Sequence, residues 1–248
     1  MSDLRVRLEV CVESVQALDI ATQGGADRIE LCSALNLAGL TPSPGLMAEA
    51  SARKIPSFVL IRPRPGDFCY GRRDLDVMRR DIDSVRAMQL AGIVIGASLP
   101  DGRLDEAALT QLLEHAAGLP AVLHRAFDLV PDFHAALETA IRLGFKRVLT
   151  SGGAPDAPAG QARIRALVEQ AGSRIEVMAG GGVAPGNVAA FVRSTGVPAV
   201  HSSCSSAVRT SGSVAAQASA LGFIPVPHRG TDAAQLAAML AALSETAG

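Results

Sequence analysis

Two short segments of the chain repeat one pattern, in which a glutamate and a cysteine follow an arginine. They read RLEVC at residues 7–11 and RIELC at residues 28–32, with aliphatic residues between the functional side chains. Side chains alternate between the faces of a strand, so Glu9 shares a face with Cys11, and Glu30 with Cys32. Thiolates that end adjacent strands can bind a soft cation such as Cu(I), and carboxylates can act as general acids or bases. The alternative is that each cysteine is a small buried hydrophobe.

Charged and imidazole side chains follow two further apolar runs. The segment IRPRPGDFCY (61–70) supplies Arg62 and Arg64, and HRAFD (124–128) supplies His124, Arg125 and Asp128. The histidine and the aspartate join the two glutamates as candidates for acid–base catalysis, and the three arginines are candidates for binding an anion. The alternative is that these acids and arginines form a structural lattice of ion pairs, because buried charges need partners.

Glycine and serine residues form a third group in the second half of the chain, in SGG (151–153), AGGG (179–182) and HSS (201–203). Such segments expose backbone N–H groups and hydroxyls, which bind phosphate in many proteins. A simpler interpretation is that the glycines only form tight turns. The candidate anion-binding residues of this group are Ser151, Gly180, Gly181, Gly182, His201 and Ser202.

All these residues fall at the ends of predicted strands. Eight β-branched or aliphatic segments alternate with helical patterns, and the predicted strands are 5–11, 28–32, 57–61, 93–95, 121–124, 147–150, 175–179 and 199–201. Ser14, Asp105 and Asp132 are predicted N-caps of helices, and Pro185 is expected in the first turn of another.

Eight β–α units in 248 residues predict an α/β fold, a (β/α)8 TIM barrel forming a single domain over residues 1–248. The alternative is an open, doubly wound sheet, but the segment CVES replaces the expected glycine-rich turn after the first strand. In a barrel the candidate residues would gather where the strands end, which is where barrel enzymes place their active sites. Residues 151–160 and 202–230 are predicted loops, and the C-terminal loop and helix occupy about 202–248.

The composition argues against several classes of function. The net charge is −1 and the chain has no tryptophan and a single tyrosine, so no basic or aromatic surface for nucleic acid is expected. No secretory signal and no membrane span are expected. We therefore expect a cytoplasmic protein whose four cysteines are mostly reduced.

Seven motifs in order along the chain resemble the CutC copper homeostasis proteins. They are GGADRIELC, GLTPS, IRPRPGDFCY, HRAFD, RVLTSGG, MAGGGV and VHSS. The resemblance implies a TIM barrel, a cytosolic location and a role in copper tolerance, with Cys11 and Cys32 as the proposed Cu(I) ligands. Pro65 and Cys204 depart from residues that are common in this family. Barrels of this kind often pair, so a homodimer is expected.

Two functional hypotheses follow. In the first, Cys11 and Cys32 bind Cu(I) as paired thiolates, and the chain is a copper homeostasis protein without an organic cofactor. In the second, the barrel is an enzyme for a small anionic or phosphorylated metabolite, which explains the arginines and glycine loops that copper binding leaves unused. A purely structural barrel would need none of these polar residues.

Overall fold

The computed structural model describes residues 5–208, 211–225 and 227–246. Eight parallel strands form a closed barrel in sequence order, β1 to β8. Their bounds are Arg7–Val12, Arg28–Leu31, Ser57–Leu60, Gly92–Ile95, Ala121–Leu123, Arg147–Thr150, Glu176–Gly180 and Ala199–Ser202. The predicted (β/α)8 barrel is confirmed. The predicted domain bounds, 1–248, include residues 1–4, 209–210, 226 and 247–248, which lie outside the described residues.

Nine α-helices lie in the described residues: α1 to α7 connect the barrel strands and cover the outside of the barrel, and α8 and α9 follow β8. Their bounds are Val15–Gly24, Pro44–Ser51, Arg72–Ala87, Glu106–Ala116, Phe133–Arg142, Gln161–Ala171, Val188–Thr195, Ser213–Ala220 and Ala233–Ser244. The predicted caps are confirmed, because the side chains of Ser14, Asp105 and Asp132 each accept a backbone N–H of the first helical turn. Two short 3-10 helices, Leu35–Leu37 and Arg125–Leu129, follow β2 and β5.

Two apolar layers hold the barrel together. Outward-facing side chains such as Leu8, Val10 and Ile29 are fully buried beneath the helices. Inward-facing side chains fill the barrel interior with a smaller cluster, formed by Cys32, Phe58, Leu60, Val94, Val122, Leu149, Met178 and Ala199. The alternation along each strand therefore places aliphatic residues outside, as the sequence predicts, and leaves the acids and thiols of the first two strands inside.

The segment after β8 differs from the predicted loop at 202–230. Residues Ser205–Ala207 and Arg229–Thr231 form a two-stranded antiparallel sheet, β9 and β10, and α8 lies between them. The sequence of α8, SVAAQASA, carries no amphipathic pattern that predicts a helix, and none of its side chains is buried. Residues 209, 210 and 226 of the predicted loop lie outside the described residues.

Helix α7 begins later than predicted from Pro185. Asn187 precedes the helix, and its Oδ1 accepts the N–H of Ala184 at 2.9 Å while its Nδ2 donates to the carbonyl of Gly182 at 2.9 Å. These bonds hold Pro185 in a turn, so the first helical residue is Val188.

Candidate functional site

A cavity of about 710 Å³ opens where the barrel strands end. Most of the candidate residues line it, although they come from strands and loops far apart in the sequence. The lining includes Cys11, Glu30, Arg62, His124, Arg125, Asp128, Gly181, Gly182, His201 and Ser202. Glu9, Cys32, Arg64, Ser151 and Gly180 are not part of it. The barrel topology thus gathers most of the polar residues that the sequence analysis selected.

The two Arg-x-Glu-x-Cys segments are displaced by two residues relative to each other. In the β1–β2 ladder Glu9 pairs with Arg28, and Cys11 pairs with Glu30. On the other side of β1, Glu9 pairs with His201 of β8. Identical residues of the two segments are therefore not direct neighbours. Instead, each acid lies beside a side chain of a different kind.

Glu9 belongs to an ion-pair lattice inside the barrel, beneath the cavity. Its carboxylate accepts hydrogen bonds from Arg28 Nε at 2.7 Å and from His201 Nδ1 at 2.8 Å. Arg28 also donates to Glu176 at 2.7 Å, and Arg147 pairs with Glu176 at 3.0 Å. A structural lattice was one alternative from the sequence, and the structure builds it from different arginines than Arg62 and Arg125.

Glu9 and Glu30 have different surroundings, and these shift their pKa values in opposite directions. Burial would raise the pKa of Glu9, but the hydrogen bond and charge of His201, together with Arg28, lower it to about 2. Glu30 has no hydrogen bond within the described residues, and burial, with the nearby Glu9 charge, raises its pKa to about 7. Glu30 is thus nearly balanced between its acid and base forms at neutral pH, as general acid–base catalysis requires.

His201 links the two acids. One ligand atom of each of Glu9, Glu30 and His201 lies within 4.8 Å of the others. Burial would lower the pKa of His201, but the neighbouring Cys11 and Glu30, together with the hydrogen bond to Glu9, raise it well above the usual value. A cation bound by these three residues would have to displace the proton of His201 and compete with Arg28 for one oxygen of Glu9.

The two thiols come from neighbouring strands but do not lie directly opposite each other. The register displaces Cys11 from Cys32 by two residues, so their Cα atoms are roughly 8 Å apart from the strand spacings. Cys32 is fully buried and its Sγ donates to the Val12 carbonyl at 3.4 Å. Burial, with the nearby Cys11 and Glu30, raises the pKa of Cys32 well above its usual value. Cys32 is therefore a protonated thiol, which must lose its proton before it can bind a metal ion.

His124 is a buried, neutral histidine at the start of the 3-10 helix after β5. Its Nδ1 accepts the N–H of Ala126 at 3.0 Å, and its Nε2 has no partner within the described residues. Burial and the positive charge of Arg62 lower its pKa to about 3. The sequence analysis proposed His124 for acid–base catalysis, but this environment suits a hydrogen-bond donor that does not change its protonation state.

The neutral state of His124 predicts a pH-dependent loss of stability. Its pKa is about 3 in the folded chain against 6.5 otherwise, so the unfolded chain binds a proton that the folded chain excludes. This stability is present above pH 6.5 and is lost as the pH falls towards 3. From pH 7 to pH 5 the wild type should lose about 2 kcal/mol more unfolding free energy than His124→Asn. Urea unfolding at both pH values measures the difference, and equal losses would contradict it.

Asp128 is saturated with hydrogen bonds and orders the loop after β6. It accepts the backbone N–H groups of Ser151 at 3.1 Å and Gly153 at 3.0 Å, and it pairs with Arg125 Nε at 2.7 Å. Arg125 also donates to Ser151 Oγ at 2.7 Å. Asp128 and Ser151 thus position Arg125, whose side chain remains 42% exposed in the cavity lining. The structure favours a positioning role for Asp128 over the proposed role in catalysis.

Four residues that line the cavity near Arg125 have backbone N–H groups without a hydrogen bond in the described part of the chain. Those of Gly181, Gly182, Val183 and Ser203 donate to no acceptor within the described residues. Gly181 and Gly182 adopt φ values of 90° and 73°, and a Cβ on Gly181 would lie 3.3 Å from Arg125 Nη1. Successive N–H groups in such a turn form a concave anion-binding surface. We call these four N–H groups and the Arg125 guanidinium the anion cradle.

The guanidinium groups of two other candidates, Arg62 and Arg64, bond to other residues of the chain. Arg62 donates to the carbonyls of Leu37, Gly39 and Gly66, so it fixes the loops after β2 and β3. Arg64 pairs with Asp67 and Asp74 outside the cavity lining.

Gly180 and Ser202 lie at the ends of β7 and β8. Gly180 allows close contact with His201, whose Cβ would lie 3.1 Å from a Cβ added at this glycine. Ser202 Oγ donates to the Val183 carbonyl at 3.1 Å and accepts the Cys204 N–H at 3.2 Å. Both residues shape the cradle and its loop connections.

The sequence analysis missed two cavity residues of interest, Phe68 and Arg229. The Phe68 ring lies 4.6 Å from the His124 ring, and Arg62 lies 5.1 Å above the Phe68 centroid. Phe68 is one of two aromatic residues in IRPRPGDFCY, the other being Tyr70. No sequence signal identified Arg229, because its position depends on the pairing of β10 with β9.

These features define a (β/α)8-barrel protein with a cavity at the carboxyl ends of its strands, lined by charged and imidazole side chains among apolar ones. Among the described residues, no helix is both long and apolar enough to cross a bilayer.

Comparison with known proteins gives the family. The CutC family model matches residues 6–206. The family protein CutC of Caulobacter vibrioides is 55% identical over 243 residues, covering 98% of this chain and 99% of its own. The human copper homeostasis protein cutC homolog is 46% identical over 200 residues, covering 80% and 73% of the two chains.

A solved structure agrees with these sequence matches. The CutC structure from Streptococcus agalactiae is 34% identical and superimposes with a TM-score of 0.77, covering 80% of this chain and 98% of its own. The chain belongs to the CutC copper homeostasis family.

Proposed function

We propose that the cavity binds a small anionic metabolite, preferably a phosphorylated one, and that the barrel acts on it as an enzyme. The anion cradle is the observation that carries this proposal. Arg125 is held by Asp128 and Ser151 beside N–H groups that have no acceptor of their own in the described part of the chain. Unsatisfied donors in the loops after β7 and β8 are typical of phosphate sites in barrels, and Arg125, which follows β5, adds a positive charge beside them.

Glu30 supports the enzymatic part of the proposal. It lines the same cavity, and its pKa of about 7 suits proton transfer to or from a bound ligand near neutral pH. His201, held by Glu9 at 2.8 Å, lies beside Glu30 and stabilises whichever negative charge develops there. The proposed reaction class is therefore proton transfer on an anionic substrate.

Binding of inorganic phosphate tests the anion cradle. We expect calorimetric titration to show one phosphate per chain, and we expect Arg125→Gln to bind it at least about tenfold more weakly, because a charged hydrogen-bond donor is lost. The matched control is Arg142→Gln, since Arg142 pairs with Glu106 on the outer surface. Equal affinities for all three proteins, or no phosphate binding, would contradict the proposal.

Cu(I) binding by Cys11 and Cys32 is the second candidate function. Both thiols face the barrel interior on adjacent strands, and Cys11 contributes to the raised pKa of Cys32, so the two side chains lie within electrostatic range. The family relationship favours this candidate. The displaced register and the hydrogen bond from Cys32 to the Val12 carbonyl weigh against this candidate. To bind copper, Cys32 must turn away from Val12 and lose its proton.

Competition with a chromophoric Cu(I) chelator tests the second candidate. If this candidate function is correct, the fully reduced wild type should withdraw one equivalent of copper and a Cys11→Ser/Cys32→Ser double variant should withdraw none. The control is Cys69→Ser, which changes a half-buried thiol that does not line the cavity. The control should withdraw as much copper as the wild type, and equal withdrawal by the wild type and the double variant would contradict the copper site.

A cytoplasmic location and a homodimer are further proposals. The four cysteines are free thiols, which a reducing compartment maintains. Val214, Leu221 and Phe223 are 79%, 60% and 77% exposed, and exposed apolar side chains in one segment support self-association. Sedimentation equilibrium of the full chain measures the oligomeric state.

A further inference from the structure

The imidazole of His124 is fixed in one orientation within the cavity lining. Gly96 of the neighbouring β4 loop makes room for it, because a Cβ there would lie 2.3 Å from His124 Cε1. The Phe68 ring packs against it at a centroid distance of 4.6 Å, and Arg62 lies over Phe68. The ring is only 5% exposed. This close packing gives His124 little freedom to turn.

The hydrogen bonds of His124 determine which nitrogen carries the proton. Nδ1 accepts the N–H of Ala126 at 3.0 Å, so it holds no proton in the neutral ring. The single ring proton is therefore on Nε2. Nε2 is buried and has no acceptor within the described residues. An unpaired buried donor costs about 1–3 kcal/mol unless a ligand satisfies it.

We propose that the Nε2–H of His124 donates a hydrogen bond to a carbonyl oxygen of the ligand, so that the substrates are anionic compounds that also carry a carbonyl group. This inference rests on the proposed function, since the anion cradle binds the charged end of the same molecule. His124 and the N–H groups of the cradle belong to one cavity but follow different strands, β5 in one case and β7 and β8 in the other. A ligand that carries an anionic group and a separate carbonyl group bonds to both the cradle and His124.

A carbonyl oxygen suits this donor better than a hydroxyl does. His124 offers a donor and no acceptor, because Nδ1 is already used by Ala126. A hydroxyl that accepts from Nε2 keeps its own proton, which then needs a further acceptor beside the apolar Phe68 ring. A carbonyl has no such proton. The charge of Arg62, which is held by three backbone carbonyls near Phe68, also favours an oxygen that carries negative partial charge.

The test uses the full chain with three probes: inorganic phosphate, glycerol 3-phosphate and dihydroxyacetone phosphate. The last two differ only in a hydroxyl against a carbonyl. We expect the wild type to bind dihydroxyacetone phosphate about fivefold more tightly than glycerol 3-phosphate, in line with one neutral hydrogen bond. His124→Asn keeps an oxygen for the Ala126 N–H but is too short to replace Nε2, so it should lose this preference and bind phosphate as before.

A second measurement is independent of any ligand. Nitrogen-15 NMR of histidine-labelled protein should show His124 with a protonated Nε2 and an unprotonated Nδ1, assigned by the signal that disappears in His124→Asn. The opposite tautomer would overturn the inference. Phosphate binding without a carbonyl preference would also overturn it and leave the proposed function standing. Absence of phosphate binding in the wild type would contradict the proposed function, and this inference would fall with it.

Discussion

Replacing Glu30 with glutamine is expected to stabilise the protein, and the gain should grow as the pH rises. Burial raises the pKa of Glu30 from 4.5 to about 7, so ionisation of this carboxyl favours the unfolded chain. The contribution of Glu30 to stability is complete below pH 4.5 and is lost as the pH rises through 7. The advantage of Glu30→Gln over the wild type should therefore increase by about 2–3 kcal/mol between pH 5 and pH 8.

Urea unfolding at the two pH values measures this gain. Glu106→Gln is the control, because Glu106 is an exposed glutamate that pairs with Arg142 on the surface. We expect no comparable increase for the control. A Glu30→Gln variant that is less stable than the wild type at pH 8 would show that Glu30 has a partner that the structure does not provide. The expected gain would mark Glu30 as a residue kept for chemistry at the expense of stability.

Replacing Glu9 with alanine is expected to have the opposite effect, a loss of about 3–5 kcal/mol at pH 7. Glu9 is fully buried and bonded to both Arg28 and His201, so its removal leaves a buried guanidinium short of a partner and an imidazole without its acceptor. The pKa of Glu9 is about 2 in the folded chain against 4.5 otherwise. The difference between wild type and variant should therefore shrink as the pH falls from 4.5 towards 2.

Glu138→Ala is the matched control for this second prediction. Glu138 also pairs with an arginine, Arg174, but both side chains are about half exposed, so solvent screens the pair and little stability should be lost. Thermal or urea unfolding of the three proteins at pH 7 measures the effect. A Glu9→Ala variant as stable as the control would mean that the ion-pair lattice beneath the cavity contributes little to folding.

The opposite expectations for Glu9 and Glu30 show what a sequence motif leaves open. The repeat predicts that both acids face inward, because strand alternation is a local property, and both indeed do so. Their chemical difference comes from the two-residue displacement between β1 and β2, which places Glu9 beside Arg28 and Glu30 beside Cys11. The stagger of strands is a property of barrel closure, and no local pattern encodes it.

Other features of the fold and the site also fall into two groups, those that the sequence predicts and those that it does not. The eight strands and the helix caps were predictable from alternation and from capping residues, which act within a few residues of each other. The roles of His124 and Asp128 were not, because they depend on the backbone N–H groups that these side chains accept. Arg229 reaches the cavity through the pairing of β9 with β10, which the alanine- and serine-rich segment between them does not predict.

The anion cradle is the central feature of this account, and NMR mapping of phosphate binding tests it most directly. In the nitrogen–proton spectrum of the labelled protein, titration with inorganic phosphate should shift the backbone amide signals of Gly181, Gly182, Val183 and Ser203 more than any others. Arg125→Gln should reduce these shifts at equal phosphate concentration. Shifts confined to other parts of the chain, or no saturable shift at all, would contradict the assignment of this cavity to an anionic ligand.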